Sequence, residues 1–521
     1  MVHKSNFYLL SNKVLLIILD GYGKGKEYEG NAIYKANTPF LDNLEANVPH
    51  TLLKADSEAV GLPANTMGGS EVGHYTMGAG QIVMQSLPYI NNQIESGQFF
   101  ENKELLGAIN HAKENNSSLH LVGMISDAGV HSHIDHLYAL IQLAKKHNLT
   151  KVYIHAIADG RDVPERSALD FINQIEQKIS TLGLGEITDV IGRYYAMDRD
   201  ENWERTEQAY KLYTLGDGEA GALPLSPLSA LTTFYQSSKE SDYYLPAQKT
   251  ADANTGLITG NDSVIFFNYR TDRAKQLTDA FTLEQFDHFK RDLEPLPYFV
   301  CFGEYTKIAP VAFKSQKVTQ NLGKIISDAN LHQLRIAETE KYPHVTFFFN
   351  SQNKEPYPQE DRIMIPSPKV ASYAEKPDMS AIQLTDRLIP EIEQNKYDFI
   401  ALNYANMDLV GHSGDIPATI TACEIVDQCL AKLVPIAQKN GYSIVITGDH
   451  GNADEMTYKD GEVCPSHSMN PTQCFVLTDK YKTYTLNQNN NGLQDLAPTI
   501  LELMALDKSN TMTGESLIVH T

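Results

Sequence analysis

The sequence is short of positive charge, of cysteine pairs and of long apolar runs, and each shortage removes a class of function. Lysine and arginine number 43 against 65 aspartate and glutamate, a formal charge of −22. Nucleic-acid binding, which normally shows as a basic stripe, is thereby disfavoured. The same field repels any anionic substrate, so such a substrate would have to be held at close range, by metals or grouped arginines. Five cysteines, Cys301, Cys423, Cys429, Cys464 and Cys474, are odd in number and include no C-x-x-C pair. They read as reduced, mostly buried thiols rather than a disulfide framework. The only early apolar run, residues 14–19, is too short to cross a bilayer and ends in Asp20 without a small-residue cleavage site. A cytoplasmic protein with no membrane partner is expected. Internal repeats and long low-complexity segments are absent.

What remains has the make-up of a large folded enzyme. A chain of 521 residues exceeds one ordinary hydrophobic core, so two or more domains are expected. Hydrophobic residues at 42% and charged residues at 21% exclude a disordered or fibrous chain. Residues 14–19, followed by Asp20-Gly21, read as a buried parallel strand and a turn. Near the other end, 399–402 reads as a strand. Residues 417–439 follow as a helix with Ile420, Cys423, Val426 and Leu430 on one face, and 443–447 as a second strand after Gly441. Strand, helix and strand in that order make a crossover and a parallel sheet. Residues 120–124, 151–156 and 263–267 read as further strands, and 487–492 as an exposed loop.

Polar residues arrive where these strands end. In open parallel sheets ligands bind beyond the carboxyl ends of the strands. Asp20, Asp408 and the pair Asp449-His450 all satisfy that rule, and they come from both ends of the chain. One sheet built from both termini, with the middle inserted as a second domain, accounts for this. With His412 and His467 these residues form a set of candidate metal ligands. Carboxylate with imidazole suits manganese, zinc or iron better than calcium. Each alone has an ordinary reading, as a turn, helix-cap, loop or core residue. Their coincidence argues for a metal site.

Ser70 directly follows Gly68-Gly69. Glycines let the backbone approach an anion, and a helix starting at Ser70 would aim its free N–H groups at a phosphate. A plain helix N-cap serine with Glu71 in the first turn is the alternative.

Ser70-Glu71-Val72-Gly73-His74 and Gly78-Ala79-Gly80 closely resemble the cofactor-independent phosphoglycerate mutases of the alkaline phosphatase superfamily. The resemblance runs nearly end to end, through Leu19-Asp20-Gly21, Val130-His131-Ser132-His133, Ala158-Asp159-Gly160-Arg161-Asp162 and Asn268-Tyr269-Arg270-Thr271-Asp272-Arg273. It continues through Ala337-Glu338-Thr339-Glu340-Lys341-Tyr342, Met407-Asp408 with Gly411-His412, and Thr447-Gly448-Asp449-His450-Gly451-Asn452. It implies an α/β fold: a metal-bearing, alkaline-phosphatase-like domain of residues 1–84 and 318–521, and an inserted substrate-binding domain of residues 85–317.

By the same resemblance Ser70 is the phosphorylated nucleophile at a site of two manganese ions. Asp408, His412 and His467 would hold one ion; Asp20, Asp449, His450 and Ser70 the other. His131, Arg161, Asp162, Arg193, Arg199, Arg270 and Arg273 match the family's substrate contacts, with Asp162 as general base. Lys341 matches a contact on the metal-bearing side that stabilises charge on the transferring group. Taken alone, Arg193 and Arg199 also fit ordinary surface cations, and Arg270 and Arg273, at a helix start, fit pairs with Asp272 or Asp279. The implied reaction interconverts 3-phosphoglycerate and 2-phosphoglycerate in a monomer, with no nucleic-acid partner. A related metallophosphatase or phosphopentomutase, and a non-catalytic binding protein, are the rival readings. The chain departs from the family pattern at Gly69, where Asn is more frequent, and at Gln81, where Arg is; residues 463–470 match loosely.

Overall fold

Every second residue of the run 14–19 enters a different hydrophobic layer: Leu15, Ile17 and Leu19 face one core, Val14, Leu16 and Ile18 another. Side chains alternate across a strand, so a run without polar residues belongs in a sheet covered on both faces. The computed structural model describes residues 12–218, 226–291 and 293–520. Strands β1 (Lys13–Leu19) and β2 (His50–Leu53) come first. Then follow β3 (Leu119–Ile125), β4 (Val152–Ala158), β5 (Glu186–Gly192), β6 (Gln248–Lys249), β7 (Ser263–Phe266) and β8 (Tyr298–Cys301). The last are β9 (Gln333–Glu338), β10 (Glu360–Ile365), β11 (Phe399–Tyr404), β12 (Tyr442–Thr447) and β13 (Thr472–Leu477).

The chain divides into two compact units, one holding the residues up to Met84 and from Gln316 onward, the other Gln85–Ser315. In the first unit the sheet order is β10-β9-β11-β1-β12-β13-β2. It is parallel from β10 to β12, and β13 runs against both of its neighbours. The helix Ile416–Lys439 joins β11 to β12. The Asp415 side chain caps its start by accepting from the Ala418 N–H, and Pro417 sits in its first turn. It lays Cys423, Val426 and Leu430 on the sheet, and Gly441, at φ 80°, turns the chain back into β12. The second unit has its own sheet, β6-β5-β4-β3-β7-β8, parallel except for β6. Within each sheet, taken by itself, the parallel strands bring their carboxyl ends to one side of that sheet.

Strands β2, β5, β8, β9, β10 and β13 carry no clear signal in the sequence. In β9 the reason is Arg335, fully buried, with its guanidinium beside the rings of Phe349 and Phe399, 5.0 and 5.1 Å from their centres. A charged residue breaks the apolar pattern, and only the tertiary fold supplies the aromatic faces that receive it. The stretch 487–492 corrects the expectation of an exposed loop. Gln488, Asn489 and Asn490 are exposed, but Asn491 is buried, its side-chain amide donating to Thr51 Oγ1 at 2.9 Å and to the Asn487 carbonyl at 2.6 Å. All five thiols are buried and free. No helix among the described residues is long and apolar enough to cross a membrane.

Candidate active site

Ser70 is the first residue of the helix Ser70–Ala79, and Gly69 precedes it in extended conformation with no side-chain cap. The glycines around it answer to space. A Cβ on Gly68 would lie 1.9 Å from the Ala55 carbonyl oxygen, and one on Gly73 would lie 2.8 Å from that of Asp449. The helix therefore starts hard against the ends of the strands.

Four adjacent strands supply its surroundings. Lys341 follows β9, Asp408 lies in a short helix after β11, Asp20 directly follows β1, and Asp449-His450 follows β12. Ser70 Oγ stands 3.1 Å from Asp20 Oδ1, 3.0 Å from His450 Nε2 and 2.8 Å from Lys341 Nζ. Lys341 also donates to Asp20 Oδ1 at 2.7 Å and to Asp408 Oδ2 at 2.5 Å. His450 Nε2 lies 3.4 Å from Asp20 Oδ1 and 3.5 Å from Asp449 Oδ2. Asp449 Oδ2 is buried without a hydrogen-bond partner.

His412 and His467 complete a second grouping. Their Nε2 atoms are 3.1 Å apart, and each is 3.2 Å from Asp408 Oδ1. Each ring donates its other nitrogen to a backbone carbonyl, His412 to Pro465 and His467 to Gly68, both at 2.7 Å. With the protons on Nδ1, the two Nε2 atoms and the carboxylate direct three lone pairs at one point. Such a cluster repels itself unless a cation sits among its members, and the fixed tautomers are those of metal-binding histidines.

The electrostatics agree. Burial alone would lower the Lys341 pKa, but the carboxylates of Asp20, Asp408 and Asp449 outweigh it and push it above the ordinary lysine value. Burial likewise opposes charge on Asp408, yet the Lys341 ammonium beside it holds its carboxyl well below the usual range. His450 is pushed up to about 10 despite its burial, by Asp449, Asp408 and Asp20. Asp20, Asp408 and Asp449 outnumber the two cations among them, Lys341 and His450, an imbalance that divalent cations correct. The Asp/His clusters thus support divalent metal binding.

The second unit gathers a different set beyond the ends of β3, β4, β5 and β7, where the strand order reverses about β3. Arg193, directly after β5, is only 2% exposed, which excludes the surface-cation reading. It donates to Asp159 Oδ1 and Asp162 Oδ2, both at 2.6 Å, and to His131 Nε2 at 2.9 Å. Because Arg193 is the donor, the His131 proton resides on Nδ1, which has no hydrogen-bond partner. Burial, with the Arg193 and Arg270 charges, lowers the His131 pKa to about 4, so this imidazole is neutral.

Arg270 grips Asp272 with two nitrogens at 3.0 and 3.2 Å, and Arg199 reaches the same carboxylate at 2.7 Å. Arg273 departs from the expected pairing: it donates to the Met197 carbonyl at 3.1 Å. The helix begins only at Lys275, so Arg270 and Arg273 lie on the loop before it and take different directions. Arg161 is exposed, its backbone N–H held by Asp159 Oδ1 at 3.3 Å. Grouped guanidinium groups of this kind suit carboxylate and phosphate.

Sequence reasoning gave no role to His74, Asn403, Asn452 or Asp159. The one available signal was the i to i+4 spacing that puts His74 on the face of Ser70. Asn452 donates to Asp408 Oδ1 at 3.0 Å and Asn403 to Asp20 Oδ2 at 2.8 Å. Nothing local announces contacts made across 44 and 383 positions.

Comparison with known proteins adds to this geometry. Residues 90–307 match the family model of the BPG-independent PGAM N-terminus, and residues 325–492 that of type I phosphodiesterase / nucleotide pyrophosphatase. The 2,3-bisphosphoglycerate-independent phosphoglycerate mutase of Moorella thermoacetica is 47% identical over 514 residues, covering 98% of this chain and 99% of that protein. That of Clostridium acetobutylicum is 47% identical over 509 residues, covering 97% and 99%. The crystal structure of Leishmania mexicana phosphoglycerate mutase at low cobalt concentration aligns over 100% of both chains, with 29% identity and a TM-score of 0.58.

Proposed function

The chain belongs to the 2,3-bisphosphoglycerate-independent phosphoglycerate mutases, and from that membership we propose that it interconverts 3-phosphoglycerate and 2-phosphoglycerate, with Ser70 carrying the phosphoryl group in between. The observation that supports this most strongly is the position of Ser70 Oγ: 2.8 Å from the Lys341 ammonium, 3.0 Å from His450 Nε2, and at the start of a helix. A helix start adds free N–H groups for the phosphoryl oxygens.

Two metal ions, manganese by the mixed carboxylate and imidazole donors, have places in the two groupings. Asp408, His412 and His467 would hold one; Asp20, Asp449, His450 and Ser70 the other. When bound, such ions supply positive charge that favours the serine alkoxide and neutralises the phosphoryl group. The residues of the chain do the rest. Ser70 Oγ forms a bond to phosphorus as the bond from phosphorus to the substrate oxygen breaks. Its hydroxyl proton is directed at Asp20 Oδ1, 3.1 Å away. Lys341 stabilises charge on the transferring oxygens. Asp162 is the general base for the glycerate hydroxyls: it accepts the proton of the hydroxyl that attacks the phosphoserine, and the bond from Ser70 Oγ to phosphorus breaks as the new one forms, the proton returning to Ser70. Arg161, Arg193, Arg199, Arg270, Arg273 and His131 bind the substrate's carboxylate and phosphate, supplying the local positive charge that a chain of −22 otherwise lacks.

We place this activity in glycolysis and gluconeogenesis, in the cytoplasm, in a monomer. The test is 3-phosphoglycerate with manganese and no bisphosphoglycerate, coupled to enolase. Turnover that chelation abolishes and manganese restores is expected. Release of inorganic phosphate without 2-phosphoglycerate would make the protein a metallophosphatase, and full turnover by protein shown to be metal-free would remove the ions from the mechanism.

A further inference from the structure

His74 is fully buried, one helical turn beyond Ser70. Asp20, His74 and Asp449 each place a ligand-type atom within 4.8 Å of the others, so His74 has the position of a third metal ligand. Its hydrogen bonds decide against that role. Asn403 Nδ2, an amide donor, lies 3.1 Å from His74 Nε2, so Nε2 accepts and carries no proton. The proton is therefore on Nδ1, which donates to the Ser70 carbonyl at 2.9 Å and lies 3.3 Å from Asp449 Oδ2. Both ring nitrogens are committed, and neither has a lone pair to offer an ion.

The same Asn403 amide donates its other hydrogen to Asp20 Oδ2 at 2.8 Å. A reversed amide would set Asn403 Oδ1 against that carboxylate, so its orientation is fixed. One connected set thus runs from the Ser70 carbonyl through the His74 ring and the Asn403 amide to Asp20. It holds the Ser70 helix end and one oxygen of Asp20. Asp20 Oδ1 is left facing Ser70 Oγ and His450.

We propose that His74, acting through Asn403, is a positioning residue that fixes Asp20 and Ser70 as donors of one ion, and that it is not itself a ligand. Asp408, His412 and His467 take no part in this set: His412 and His467 are oriented by the Pro465 and Gly68 carbonyls, and Asp408 receives the Asn452 amide. The inference rests on the two-ion reading above. It makes a selective demand, because loss of His74 must weaken one ion and spare the other.

The experiment titrates manganese into chelator-stripped protein by calorimetry, for wild type, His74→Asn, His74→Ala and Asn403→Ala. Thermal melts of the stripped proteins check the fold. Wild type should bind two ions. His74→Ala and Asn403→Ala should each weaken one of them by about 10- to 100-fold, the usual effect of losing a group that orients a ligand, and leave the other unchanged. His74→Asn keeps a donor near the place of Nδ1 and should recover part of that affinity. Asn403→Ala breaks the same connection without touching the Ser70 helix, so it decides the matter if His74→Ala does not fold. Equal weakening of both ions, or of neither, overturns the proposal. Loss of one ion altogether in His74→Asn, with Asn403→Ala unaffected, would restore His74 as a ligand. Wild type binding a single ion refutes the two-ion reading instead, and the His74 inference then stands or falls on whether the variants weaken that ion.

Discussion

Replacing Lys341 by methionine keeps the length of the side chain and removes the charge that three buried carboxylates share. Its ammonium reaches Asp20 at 2.7 Å, Ser70 at 2.8 Å and Asp408 at 2.5 Å, with the side chain 4% exposed. In metal-free protein the variant leaves Asp20 and Asp408 without their cation. Breaking a buried ion pair from one side costs about 3–5 kcal/mol, and the two carboxylates are deeply enough buried for that range to apply. Urea unfolding of chelator-treated protein, followed by far-UV circular dichroism, should show a loss of this size. Manganese should narrow the gap between variant and wild type, since a divalent ion can replace the lost charge. Activity should not recover with stability. The missing donor to the Ser70 oxygen and the phosphoryl group acts on the transition state, and its loss should lower kcat roughly 10²–10³-fold in the enolase-coupled assay. A metal-free stability within about 0.5 kcal/mol of wild type, the range of ordinary surface changes, would refute the shared-ammonium argument. A manganese-loaded variant within about tenfold of wild-type kcat would refute the catalytic one.

Ser70→Ala should leave the fold intact and remove essentially all mutase activity, and retention of even about a tenth of wild-type turnover would show that another group accepts the phosphoryl. Acid should destabilise the protein between about pH 6.5 and 4. Burial lowers His120 and His131 to about 4 and His136 to about 3, so these rings take up protons on unfolding and stability rises with pH across that window. Glu338, raised to about 7 by burial, opposes the trend above the usual carboxylate range. A urea midpoint that does not fall from pH 6.5 to 4 would contradict this balance. A mutase must also keep its glycerate until the phosphoryl group returns. Substrates labelled separately in phosphate and in carbon should give no doubly labelled product at early times, and extensive crossover would show that glycerate escapes between the half-reactions.

The sequence alone settled whatever depends on local backbone geometry. An apolar run ending in Asp20, a strand ending in Asp449-His450, and a serine after two glycines are short-range patterns, and each kept its local form in the fold. Sheet alternation and helix periodicity need only neighbouring residues. Strands β5 and β9 escaped notice for the converse reason: Asp189 and Arg335 lie inside them, fully buried, and their partners come from elsewhere in the chain. The site shows the same division. Which residue types converge was legible from strand ends, but which atoms meet was not. Lys341 lies 321 positions from Asp20, and Asn403 329 positions from His74. Burial decides whether a charge is paired or solvated, and burial is set by the packing of whole elements. Only the tertiary structure could therefore make Arg193 the buried partner of Asp159 and Asp162, direct Arg273 to a carbonyl, and assign the His74 ring nitrogens to donors and acceptors that leave none for a metal.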